Sequence, residues 1–76
     1  MGGDDIVEID VCGLQPPEPL ERVLEALSTL QPGQRLRMLI AREPRPLYAI
    51  LARNGYAYDA TLRDDYIYEI LIRMRG

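Results

Sequence analysis

The 76-residue chain has no histidine and a single cysteine, Cys12. Without imidazole there is no Ser-His or Cys-His nucleophilic pair, no imidazole acid or base and no ordinary zinc site. One cysteine excludes an internal disulfide. Lysine is missing too, since all nine basic residues are arginine, so neither a Schiff-base amine nor the lysine of a phosphate loop is available. Arginine clamps anions but is a poor base. No cofactor and no metal site are expected: Asp4 and Asp5 read as a solvated tail, and Asp64 and Asp65 as turn formers. No apolar run approaches the roughly 18 residues of a spanning helix, and Met1 to Asp5 lacks the basic, then apolar, layout of a secretory signal. The expected compartment is therefore the cytoplasm, which suits a free thiol. The formal charge of −3 sets up no field toward nucleic acid or an anionic membrane, and neither is an expected partner.

What is present is strong hydrophobic periodicity. Residues 1–5 form a polar lead, expected to be mobile, and residues 6–76 a single domain near the lower size limit for an unstapled core. Val7, Ile9 and Val11 alternate with Glu8 and Asp10, the pattern of a first strand with one covered face. Leu20, Val23, Leu24, Leu27 and Leu30 recur at helical spacing, with Pro17 and Pro19 at the start and Pro32-Gly33 as the expected stop. Leu36, Met38 and Ile40 mark a second strand, and Leu47, Ile50 and Leu51 the apolar stripe of a second helix that ends at Asn54-Gly55. Tyr56 to Leu62 and Tyr66 to Arg73 read as two further strands joined by a turn at Arg63-Asp64-Asp65.

The order is βαβαββ. Two crossovers and a closing hairpin give an α+β two-layer sandwich, with a four-stranded mixed sheet carrying both helices on one face. The other face is open, and Glu8, Arg37, Asp59, Glu69 and Arg73 fit it, with Leu39 and Leu71 among them. The five tyrosines are expected to pack on one another and on the second helix.

The chain is organised around the corner from Asp10 to Leu20, where the first strand hands over to the first helix. Arg42-Glu43-Pro44-Arg45-Pro46 repeats that logic at the second helix. Helix starts direct free N–H groups and a positive dipole end at one spot, which suits anions and activated thiols. Arg42 and Arg45 beside two such starts fit a carboxylate, phosphate or sulfur oxyanion. Cys12 reads either as a thiol presented to the same place or as a small buried hydrophobe.

On these residues the chain resembles the TusA/SirA-like sulfur-carrier family, in its branch of uncharacterised function. Asp10, Gly13, Leu14, Pro17, Glu18 and Pro19 echo the family's Asp-x-x-Gly-Leu and Cys-Pro-x-Pro pattern. Gly13 to Pro19 and Arg42 to Tyr48 match the segments typical of the branch. In the carriers, the cysteine of Cys-Pro-x-Pro sits at the start of the first helix and carries the sulfur; here the resemblance places Pro16 there. It also places Cys12 where the branch usually has arginine, and it implies an accessory role in redox or metal metabolism. The resulting expectation is a non-catalytic module that binds a protein partner or a small anion through Asp10, Gly13, Pro16, Pro17, Glu18, Pro19, Arg42 and Arg45. The alternative is a sulfurtransferase-type carrier with a persulfide on Cys12.

Overall fold

A computed structural model describes residues 5–75. Its elements are β1 (Asp5–Asp10), α1 (Glu18–Ser28), β2 (Gln34–Ile40), α2 (Arg45–Arg53), β3 (Tyr56–Leu62) and β4 (Tyr68–Met74). The expected lead is described only at Asp5, which opens β1 rather than preceding it; residues 1–4 lie outside the described chain.

The sheet order is β1-β2-β4-β3, with β1 parallel to β2 and β4 antiparallel to both its neighbours. The last strand thus inserts between the second and the third. Register places Val7, Leu36, Ile72 and Tyr58 in one row across the sheet, and Ile9, Met38, Ile70 and Ala60 in the next. Leu36, Met38, Ile70 and Ile72 are fully buried under Val23 and Leu27 of α1 and Leu47 and Leu51 of α2, which makes a single core on one face. Leu24 departs from the expected stripe. It is 40% exposed, because the buried arc of α1 is centred on Val23 and Leu27.

The open face is laced with ion pairs. Arg37 of β2 reaches Glu8 of β1 at 3.4 Å and Glu69 of β4 at 3.5 Å, while Arg73 of β4 pairs with Asp59 of β3 at 3.1 Å. Each pair is part solvated and contributes little alone, but together they tie neighbouring strands. Leu39 and Leu71 are half-buried on this face.

Two boundaries differ from the periodicity. Helix α1 stops at Ser28, where the Thr29 and Leu30 N–H groups turn back to the Ala26 and Leu27 carbonyls, so Pro32-Gly33 does not cap it. Gly33, at φ +88°, instead closes the tight turn in which the Gln34 N–H donates to the Gln31 carbonyl. Tyr66 does not begin β4. It sits at φ 65° in the hairpin turn, donating its N–H to the Arg63 carbonyl, and is 78% exposed rather than packed with the other tyrosines. The Gly55 stop after α2 is as expected, with φ +82°.

Candidate functional site

Because β1 and β2 are parallel, both strand-to-helix corners emerge at the same end of the sheet. The first is built by local bonds. The Cys12 N–H donates to the Asp10 side chain at 2.9 Å, the Leu14 N–H to the Val11 carbonyl and the Glu18 N–H to the Gln15 carbonyl. Gly13 takes φ +86° at the turn's apex, a conformation that strains residues with a Cβ.

Between the corners lie two adjacent depressions that share Pro16, Pro19, Ile40 and Arg42. One, of about 320 Å³, is floored by Leu20, Met38 and Leu47 and walled by Pro17, Pro44 and Pro46, with Glu43 at its margin. The other, of about 420 Å³, extends over Val11, Gly13, Leu14, Gln15 and Ala41. The cleft is mainly apolar because prolines start both helices and expose rings where other residues would present N–H groups.

The same prolines change the anion chemistry. Pro19 and Pro46 have no N–H to offer. The Glu18 N–H is taken by the Gln15 carbonyl, the Arg45 N–H by the Glu43 carbonyl and the Leu47 N–H by the Pro44 carbonyl. These helix starts are therefore poor in free donors.

The sequence-derived residues separate accordingly. Gly13, Pro16, Pro17, Pro19 and Arg42 line the cleft. Asp10 is engaged in the corner turn, and Glu18 turns to Arg22 at 3.9 Å. Arg45 is 82% exposed and pairs with Glu43 at 3.3 Å, outside both depressions. Arg42 makes no ion pair or hydrogen bond among the described residues. Leu20, Met38, Ile40 and Leu47 belong to the cleft as well as to the hydrophobic pattern; the doubled Pro-x-Pro spacing was the signal that the apolar residues beside it would line a groove.

Residues 8–74 match the family model described as Uncharacterized conserved protein (DUF2249). The chain belongs to this family. No curated protein matches it in sequence. Among solved structures, a SirA-like protein from Desulfitobacterium hafniense is similar, with a TM-score of 0.81 and 23% identity over 92% of this chain and 99% of that one. The βαβαββ sandwich of this DUF2249 domain is thus a SirA-like fold.

Cys12 is half-buried and lines neither depression. Burial raises its thiol pKa, and the hydrogen bond to Asp10 with the charges of Asp10 and Asp65 raise it further. Asp10 is held low by the Cys12 N–H. The thiolate is therefore less favoured than in a free cysteine, the opposite of an activated nucleophile. Alkylation by iodoacetamide at neutral pH is expected to be slower than for a free cysteine, and Asp10→Asn is expected to accelerate it by removing the adjacent charge. An unchanged rate in Asp10→Asn would remove Asp10 from this account. Among the described residues, no three His, Cys, Asp or Glu side chains are grouped to hold a metal, and no helix is long and apolar enough to cross a membrane.

Tyr48 braces the second corner. Its ring stacks on Tyr58 at 4.5 Å between centroids, 7° from parallel, and its hydroxyl donates to Glu43 at 3.3 Å. Burial, then the Glu43 charge and hydrogen bond, push its pKa from 10.0 to about 12. The unfolded chain therefore ionises first. Stability tied to Tyr48 is complete below pH 10 and falls as the pH rises toward 12. With solvent screening allowed for, the linked loss is on the order of 1 kcal/mol. Urea melts across this range are expected to show that loss in the wild type and not in Tyr48→Phe.

Proposed function

We propose that the domain is a non-catalytic interaction module that docks a partner protein in the cleft between the starts of α1 and α2. The observation that carries this reading is an apolar groove with Arg42 at its rim, a cation that has no ion pair among the described residues. Such a groove suits a segment that buries one or two apolar side chains and places a carboxylate against the guanidinium. A small inorganic anion fits less well, since the backbone donors that would surround it are engaged or replaced by proline.

The carrier alternative through Cys12 is disfavoured by the raised thiol pKa and by the position of Cys12 off the cleft. The resemblance to sulfur carriers, with Pro16 where their cysteine would stand, agrees with a fold whose docking role outlived its sulfur chemistry. A cytoplasmic setting and a role accessory to redox or metal metabolism belong to this proposal as extensions of that resemblance.

The test is to pan a random peptide library against the immobilised domain. Enrichment of peptides with apolar residues beside Asp, Glu or a free C-terminus, with NMR shifts at Leu20, Arg42 and Leu47 on binding, is the expected result. Peptides that shift resonances elsewhere, or incubation with a cysteine desulfurase that loads sulfur onto Cys12, would overturn the reading.

A further inference from the structure

The outer edge of the sheet at β3 is built for pairing. Before the strand, the Gly55 carbonyl accepts from the Arg75 N–H at 2.9 Å; after it, the Arg63 N–H donates to the Ile67 carbonyl at 2.9 Å. The register between these points is uninterrupted from Tyr56↔Met74 to Leu62↔Tyr68. Main-chain groups alternate sides along an antiparallel ladder, so the odd-numbered residues bond to β4. The N–H and C=O groups of Tyr56, Tyr58, Ala60 and Leu62 therefore face the free edge.

Devices that usually block such an edge are missing among the described residues. The strand has no proline, no basic residue and no bulge. Its one charge, Asp59, is matched by Arg73 within the same sheet. Ala60, Thr61 and Leu62 are exposed, Leu62 at 52%. The opposite edge differs, because β1 carries Asp5, Glu8 and Asp10, and two copies meeting there would crowd carboxylates together.

We propose that two copies of the chain pair antiparallel along β3 about a two-fold axis at Ala60, joining two four-stranded sheets into one. In this register Ala60 meets Ala60 of the second copy, and Tyr58 meets its Leu62. Each of these pairs exchanges both main-chain hydrogen bonds, since all the residues concerned face the edge. The exposed Leu62 gains an aromatic cross-strand neighbour on the helix side. On the open face, Asp59 meets the second copy's Thr61, a hydroxyl that donates to the carboxylate. Two of the neighbouring registers are worse. A two-fold at Asp59 sets two carboxylates against each other, and one at Tyr58 leaves Leu62 outside the pairing.

The experiment is sedimentation equilibrium of the full chain and of three variants, with circular dichroism to verify folding. The wild type is expected to approach twice the chain mass and to dissociate on dilution. Ala60→Pro removes an N–H that faces the free edge and not β4, and is expected to sediment as a folded monomer. Thr61→Asp, on an exposed position away from the core, sets like charges opposite Asp59 twice over and is expected to weaken the dimer about tenfold. Thr61→Arg is expected to tighten it, so the two Thr61 variants decide the matter even where Ala60→Pro fails to fold. A wild type that stays monomeric at every concentration would overturn the proposal, as would a dimer that neither Thr61 variant changes.

Discussion

Ile70→Ala is expected to remove more than half of the domain's stability. Ile70 is fully buried at the centre of β4, between Met38 of β2 and Ala60 of β3 in the register. It belongs to the cluster that both helices cover. Truncating a core isoleucine to alanine costs about 3–4 kcal/mol in lost transfer free energy and an unfilled cavity. A single core in a chain below about 80 residues rarely supplies more than about 3–5 kcal/mol in total. The urea midpoint of Ile70→Ala should therefore fall by more than half. Leu24→Ala, on a helix residue already 40% exposed, should cost under about 1 kcal/mol. Equal losses in the two variants would mean that the core is not centred where the burial pattern places it.

That contrast also marks what the sequence can and cannot carry. Period-two alternation in Ile9-Val11 and Leu36-Met38-Ile40 marks the strands and their covered face, because side chains on a strand alternate whatever the neighbours are, whereas Val7, in the same alternation, is 39% exposed on the edge strand β1. The insertion of β4 between β2 and β3 was not legible, since strand order depends on pairings far apart in the chain. Leu24 has the hydropathy of its neighbours, and only the position of the sheet decides that Val23 is fully buried and Leu24 is not. Tyr66 looked like strand because it is aromatic and precedes Ile67 and Tyr68. The Arg63 carbonyl, which takes the Tyr66 N–H, makes it part of the turn. At the site, the proline pairs could be read, but their consequence ran against the usual rule for helix starts. Proline removes the N–H groups that an anion would use and leaves an apolar wall. Burial of the Cys12 thiol and the Asp10 carboxylate held beside it, which together oppose thiolate formation, depend on backbone geometry that composition does not reveal.

Arg42 and Arg45 look equivalent in the sequence, three residues apart around the same helix start, yet they are expected to behave very differently in binding. Arg42 lies on the rim shared by both depressions and has no internal carboxylate to satisfy it among the described residues. Arg45 is 82% exposed and already bonded to Glu43, which also accepts from Tyr48. Of these two, a partner carboxylate therefore meets at Arg42 a guanidinium with no ion pair among the described residues. For a peptide selected on the wild-type domain, Arg42→Glu replaces a charge-assisted hydrogen bond with repulsion and should weaken binding about tenfold to a hundredfold. Arg42→Lys keeps the charge but loses the planar fork, so its effect should be intermediate. Arg45→Glu should bind within about twofold of wild type, because the charge it changes is solvated and outside the groove. Calorimetric titration of the three variants reads all of this directly. If Arg45→Glu lost as much as Arg42→Glu, binding would depend on the general field of the corner and not on the groove, and the cleft would lose its claim to be the docking site.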